Sequence, residues 1–214
     1  MTFETMTLDE LYEKLASTEF RDPSKYGLFY NFFIYPYPVE REAEIRRRIA
    51  EFKDGLRRPV TYVDALSIDV FETFRDYLDH QQLGFGPSEL KRLIDADRQT
   101  EDEEDHAAIQ ETLNTYAREN AFLEFVHERI MRHLDAPSNG DPVIRPYVFV
   151  YGFTAMYPYL RANEFLSRYE QLNRATRYKL ILFYPGELRD GENRYSLFGK
   201  LNEDHTYRAQ LLTK

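Results

Sequence analysis

The residues of this chain that could carry chemistry lie where two apolar segments end. Residues 147–152 (YVFVYG) end in a tyrosine and a glycine, and residues 180–187 (LILFYPGE) end in a glycine and a carboxylate. Glu187 could serve as a general acid or base and Arg161 could bind an anion, but neither has an evident catalytic mate in the sequence. A structural role is therefore the favoured interpretation for both residues, and hydrolysis with Glu187 as the base is the alternative that we rank last.

Motifs for phosphate, metal and nucleophile chemistry are incomplete. Leu201 follows Gly199 and Lys200 where a Walker motif requires Ser or Thr, and Gly-x-Ser-x-Gly does not occur. His127 begins a metalloprotease-like helix motif, but Met131 stands where the second zinc-binding histidine belongs, and the chain has no cysteine. We therefore predict no catalytic residue, no metal site and no cofactor.

Acidic side chains are concentrated in one short segment. The formal net charge of the 214 residues is −9, and residues 95–105 contain seven carboxylates against the single base Arg98. Such a run predicts a solvated loop, and an electrostatic docking tail or a DNA mimic is the alternative.

Basic side chains are concentrated in a second segment, where acids are interleaved with them. This pattern predicts a solvated helix face, and nucleic-acid binding is the alternative function. The five bases are Arg46, Arg47, Arg48, Arg57 and Arg58.

The sequence has no feature typical of a membrane protein. Residues 1–15 carry acids where a secretory signal carries bases, and no apolar stretch approaches the roughly 18 residues that span a bilayer. We predict a cytoplasmic protein that does not contact a membrane.

Apolar runs alternate with amphipathic segments along the chain. The runs predict strands at residues 28–36, 60–63, 147–151, 180–184 and 195–198. Helices are predicted at residues 7–17, from Pro38 to Leu56, around Phe74, from about Ser88, from about Ala107 to Leu134, and around residues 165–172.

This order predicts a three-layer α/β fold. Strands that are apolar throughout and separated by helices form mostly parallel sheets with helices on both faces. We predict a single domain over residues 1–214, with an N-terminal helix at 7–17 and a helical insertion, containing one long helix, at about 87–135. That helix has apolar residues at heptad spacing, interrupted by Asn120 and His127, which would pack on the protein's own core or on a partner helix.

Three sequence blocks resemble the signature blocks of the BrxB family of the BREX bacteriophage-exclusion systems. They are YVFVYGFTAMYPYLRANEFLSRYE, LILFYPGE, and SLFGKL followed by Asp204 and by Tyr207, Arg208 and Ala209. The chain departs from the family pattern at residues 153–155, where a further glycine is common, at residues 205–206, and at the extended segment 188–191.

The resemblance implies a non-catalytic accessory protein that works with the phosphatase-superfamily component PglZ, a DNA methyltransferase and a large ATPase. We expect a protein-docking surface at the carboxyl ends of the strands, because aromatic and charged residues of the resembling blocks are predicted to meet there. Its predicted residues are Tyr151, Gly152, Tyr157, Arg161, Tyr184, Pro185, Gly186, Glu187, Gly199, Asp204, Tyr207 and Arg208.

Overall fold

The computed structural model describes residues 5–22, 32–82, 84–100, 102–172, 177–188, 195–197, 201–203 and 209–213. For residues 187–188, 195–197 and 201–203 it describes the backbone only. The helices are α1 Leu8–Ala16, α2 Thr18–Arg21, α3 Glu42–Leu56, α4 Val70–His80, α5 Glu89–Gln99, α6 Glu103–Arg118, α7 Asn120–Asp135, α8 Phe153–Met156 and α9 Ala162–Leu172. The strands are β1 Phe32–Tyr37, β2 Ala65–Asp69, β3 Tyr147–Tyr151, β4 Lys179–Leu188, β5 Tyr195–Leu197, β6 Leu201–Glu203 and β7 Gln210–Leu211.

Five parallel strands form the central sheet, in the order β2-β3-β4-β1-β7. Leu180 of β4 pairs with Phe32 of β1 on one side and with Val148 of β3 on the other. The strands β1, β3 and β4 are buried along nearly their whole length, as expected for a parallel sheet that is covered on both faces. The predicted α/β fold with a mostly parallel sheet is confirmed.

Two apolar cores lie on opposite faces of the sheet, because successive side chains of a strand point to opposite sides. Leu180 and Leu182 of β4 belong to the core covered by α4, α7 and α9. Ile181 and Phe183 belong to the core covered by α1 and α3. The protein thus has three layers. Its assignment to a single domain over residues 1–214 stays a prediction.

The second strand begins later than the sequence predicts. Residues 60–63 were expected to be extended, but both Thr61 and Tyr62 donate backbone hydrogen bonds to the carbonyl oxygen of Arg58 and form a turn after α3. Val60 is 90% exposed as a result. The strand β2 is at the edge of the sheet, where half-buried positions accept Ser67 and Asp69, so it lacks the apolar run by which a central strand is found.

The predicted long helix is two helices, α6 and α7, separated at Glu119. The backbone of Glu119 is extended, with φ −70° and ψ 147°. The break lets the two helices pack on different neighbours, since α6 contacts α5 whereas α7 contacts α4 and α9. The heptad positions pack on the protein's own core: Leu123 and Ile130 are buried, and Ile109 and Leu113 are partly buried.

Most of the acidic segment is helical, so the loop prediction is wrong for it. Asp95 and Asp97 lie in α5, and residues 103–105 form the first turn of α6. Asp102 caps α6 by accepting a hydrogen bond from the backbone N–H of Glu104, at 3.3 Å. Carboxylates are favourable there because the helix N-terminus carries partial positive charge and unpaired N–H groups.

The side chain of Lys179 is buried at the start of β4. Its Nζ donates a hydrogen bond to the carbonyl oxygen of Phe20 and lies 4.5 Å from the centroid of the Phe20 ring. Burial, with a further contribution from the positive charge of Arg145, lowers the pKa of Lys179 to about 8. The cation is therefore less favourable in the folded chain than in the unfolded chain.

We predict that stability rises with pH above pH 8 because of Lys179. Between pH 8 and its ordinary pKa of 10.5 the unfolded chain binds more protons at this lysine than the folded chain does. The free energy of unfolding should increase by up to about 1 kcal/mol per pH unit from pH 8 to 9.5, measured by urea denaturation. The destabilisation is fully present below pH 8.

Two variants separate Lys179 from other titrating groups. Lys179→Met should lose the pH-dependent increase, whereas Lys91→Met, which removes a largely exposed lysine, should keep it. Parallel pH profiles for the wild type and Lys179→Met would contradict the prediction.

Candidate functional site

The predicted end of the strand at residue 184, followed by a turn at 184–187, is wrong, because β4 continues to Leu188. The parallel ladder with β1 extends to the pair Tyr37 and Pro185, and Gly186 then pairs with Leu197 of the antiparallel strand β5. The ladder with β3 has already ended at Leu182, so β4 has one neighbour fewer where Pro185 occurs. A strand with a free side tolerates the missing N–H of proline.

The extension of β4 pairs with β5, and β5 pairs with β6, in an antiparallel arrangement. We call residues 186–188, 195–197 and 201–203 the arm. In open α/β sheets, ligands bind in the crevice outside the carboxyl ends of the strands. Here the middle strand of the parallel sheet continues past that edge and into the arm.

Three charged side chains from two elements, α3 and β2, meet beside this edge. Glu42 begins α3, Asp69 ends β2, and Arg46 of α3 lies between them. Arg46 Nε donates a 3.1 Å hydrogen bond to Glu42 Oε1, and Arg46 Nη1 forms an ion pair with Asp69 Oδ2. Desolvation acts to lower the pKa of Arg46, but the charges of Asp69 and Glu42 outweigh it and raise that pKa.

Hydroxyl groups and an aromatic ring complete this cluster. Tyr37 and Thr154 both donate hydrogen bonds to Glu42 Oε2, the latter at 2.8 Å. Arg46 Cζ lies 5.6 Å from the centroid of the Tyr151 ring, within the range of a cation–π contact. We call the six residues the edge cluster: Tyr37, Glu42, Arg46, Asp69, Tyr151 and Thr154.

Both tyrosines of the edge cluster hold their protons more tightly than free tyrosine does. Burial, reinforced by the charge of Glu42, raises the pKa of Tyr37. Burial and the charge of Asp69 raise the pKa of Tyr151. At neutral pH both phenols are therefore uncharged, and Glu42 accepts hydrogen bonds from three side chains of its own chain.

Gly152 is required for the close approach of β3 to the start of α4. Its φ of +90° is left-handed, and a Cβ there would collide with Oδ1 of Asp69. That same oxygen caps α4 by accepting hydrogen bonds from the backbone N–H groups of Phe71, at 3.0 Å, and Glu72, at 3.3 Å. This explains the glycine in the first resembling block.

The other predicted docking residues differ in exposure. Tyr157 is 38% exposed, and Arg161 Cζ lies 6.0 Å from the centroid of its ring. Tyr184 is 1% exposed and belongs to the core, so its ring does not contribute to the surface, and Pro185 and Gly186 are also buried.

The structure does not describe the side chains of five predicted docking residues. Only the backbone of Glu187 is described. Gly199, Asp204, Tyr207 and Arg208 lie outside the described residues.

The predicted basic cluster is interleaved with carboxylates in space as well as in sequence. Arg57 lies 3.2 Å from Asp64, and Arg48 pairs with Asp9 and Glu51. Together with Arg46 in the edge cluster, three of the five arginines thus have close carboxylate partners. Arg47, whose Nη1 is 3.8 Å from a Glu51 oxygen, and Arg58 are exposed. This arrangement favours a solvated helix face.

The two histidines of α7 have separate structural contacts. His127 Nδ1 is 3.1 Å from the hydroxyl of Tyr169, and burial lowers the pKa of His127. His133 Nε2 is 3.1 Å from Asp64 Oδ2. Within the part of the chain that the structure describes, no three histidine or acidic side chains are grouped so that they could hold a metal ion.

Sequence reasoning missed the edge cluster. Arg46 was assigned to the basic segment, and Tyr37, Glu42, Asp69 and Thr154 were not singled out. The available signal was positional: Tyr37, Asp69 and Tyr151 each end a parallel strand, and Thr154 follows β3 by three residues.

The fold and the site define an α/β protein whose parallel sheet has a charged, hydrogen-bonded carboxyl edge crossed by its own middle strand. The chain belongs to the BrxB family: the family model described as BREX protein BrxB matches residues 66–212. No curated protein and no solved structure matched the chain. Of the helices in the described segments, none combines the length and apolarity required to cross a membrane.

We predict that Gly152→Ala destabilises the protein by about 2 to 4 kcal/mol, because it adds backbone strain and displaces the Asp69 cap. Gly84→Ala is the matched control, since Gly84 also has positive φ, +68°, but a Cβ there meets nothing within 4 Å. The free energy of unfolding of this control should fall by only about 1 kcal/mol, measured by thermal or urea denaturation. Equal losses would show that the Asp69 contact is unimportant.

We predict that Arg46→Met lowers the free energy of unfolding by about 1 to 3 kcal/mol, because two partly buried carboxylates lose their shared cation. Arg47→Met, on the same helix but largely exposed, should change it by at most about 0.5 kcal/mol. Urea denaturation at pH 7 measures both. If the two variants were equally stable, the edge cluster would not stabilise the fold.

Proposed function

We propose that this protein is a non-catalytic adaptor of a BREX anti-phage defence system, which binds the PglZ component and helps to assemble the complex that acts on DNA. Membership of the BrxB family supports a place in such a system. The finer statements, that it is an adaptor and that PglZ is its partner, are our proposal. The cytoplasm, where the DNA lies, is the proposed location.

The main observation in favour of an adaptor is that the carboxylates at the carboxyl edge are bonded to other groups of the same chain. The carboxylates of Glu42 and Asp69 are held by Arg46, by hydroxyl groups and by the N-terminus of α4. A general base needs an oxygen that can reach a substrate proton, whereas these oxygens are already bonded within the chain. Such a cluster stiffens a surface rather than supplying a reactive group.

Two residues that follow α8, the exposed Tyr157 and the half-buried Arg161, are of the types that dominate protein interfaces. Tyr157 and Arg161 lie in the short segment between α8 and α9, with the guanidinium group of Arg161 over the ring of Tyr157. Tyrosine and arginine are enriched among the residues that contribute most to binding energy. We propose that these two residues contact PglZ, and that the neighbouring arm adds backbone contacts.

Binding of a purified PglZ-type protein from the same system should be measured for the wild type and for Tyr157→Ala and Arg161→Glu. Each variant should weaken binding at least about tenfold, as loss of an interface anchor does. The matched control is Tyr62→Ala. Tyr62 is also exposed, at 47%, but it precedes β2 and so lies at the amino ends of the strands. The control should bind as the wild type does.

The alternatives give different results. If the wild type does not associate with PglZ but shifts DNA at low salt, and Arg47→Glu and Arg58→Glu abolish that shift, nucleic-acid binding replaces the adaptor role. If Glu187→Gln abolishes phage protection while PglZ binding is retained, the protein has a catalytic role. Either result would overturn the proposal.

A further inference from the structure

An apolar pocket of about 420 Å³ lies between α4, α5 and α6, on the face of the sheet that α4, α7 and α9 cover. Its walls are apolar side chains of these three helices, closed on a further side by the segment after α8. The principal wall residues are Phe74, Leu78, Leu93, Ile109, Leu113 and Tyr159.

The pocket lies where α6 covers its apolar side chains only in part. Of its described side chains only Ala117 is buried, whereas Ile109 and Leu113 are partly buried and line the pocket. Ile94 of α5, also in the wall, is 40% exposed. Apolar surface that stays in contact with water is stabilised when a ligand covers it.

The charged groups at this pocket are mainly basic. Arg75 and Arg98 line it with His106, against the single carboxylate of Asp97. Arg75 is engaged by Glu72 at 2.9 Å, and His106 lies 3.9 Å from Asp97. Arg98 is exposed, lines the pocket and forms no ion pair with any residue in the described ranges.

We propose that this pocket binds a small amphipathic anion, with an apolar body between the three helices and one carboxylate or similar group at Arg98. The volume is within the range of small-ligand sites, about 300–1,000 Å³. Side chains from four segments, α4, α5, α6 and the segment after α8, line it. This site is separate from the proposed PglZ contact.

The probe for the test is 8-anilinonaphthalene-1-sulfonate, whose fluorescence rises in an apolar site. Its binding to the folded wild type should saturate, and decanoate should displace it, whereas decylamine of equal chain length should not. Failure of decanoate to displace the probe, or equal displacement by decylamine, would overturn the proposal.

Two substitutions of the half-exposed Ile94 test whether the pocket prefers an anionic ligand. Ile94→Lys and Ile94→Glu remove the same apolar side chain and place opposite charges at the pocket. Decanoate should bind the lysine variant about tenfold more tightly than the glutamate variant. Equal affinities would exclude recognition of an anion at this pocket.

A cavity-filling variant locates the site. Leu113→Phe should reduce decanoate binding at least about tenfold, while circular dichroism checks that it folds. Arg132→Glu, which changes an exposed arginine of α7 outside the pocket, should bind as the wild type does. Loss of decanoate binding in Arg132→Glu but not in Leu113→Phe would overturn the assignment. A dimer detected by light scattering and dissociated by Ile94→Glu would also overturn it, because a second copy of the chain would then fill the pocket.

Discussion

The ten-residue strand β4 is the constraint on which the rest of this structure depends. Its first half lies between β1 and β3 and supplies side chains to both apolar cores. Its last three residues, 186–188, leave the parallel sheet and pair with β5. The strand that organises the fold therefore also crosses the edge at which open α/β sheets bind ligands. The two properties cannot be separated, because both belong to one continuous segment of backbone.

The edge cluster joins parts of the chain that are distant in sequence. Glu42 and Arg46 follow β1, Asp69 ends β2, and Thr154 follows β3. The family match begins at residue 66, so it includes Asp69 and Thr154 but not Glu42 or Arg46. The carboxylate of Asp69, which pairs with Arg46, also caps α4 and lies close to Gly152. A change at any of these positions thus acts on the ends of several strands together.

Local sequence signals predicted the elements that depend on local causes. The apolar runs of β3 and β4, the helix α1 and the helical spacing of α9 follow from residue type and spacing alone. The errors occur where distant contacts decide: the edge strand β2, the break at Glu119 and the passage of β4 through Pro185. The contact of Arg46 with Asp69 was likewise beyond reach, because spacing does not show which strand ends become neighbours.

The segment between α8 and α9 contributes both to the proposed PglZ contact and to the apolar pocket. Tyr159 lines the pocket, and Tyr157 and Arg161 are two residues away on either side. Backbone hydrogen bonds from Tyr157 to Phe153 and from Tyr159 to Met156 hold this segment to α8. A ligand against Tyr159 acts on the backbone that presents Tyr157, and linkage makes any coupling of the two binding equilibria reciprocal. Leu160, next to Tyr159, is fully buried and anchors this segment to the core. The size of any coupling therefore depends on how far the segment moves as one unit.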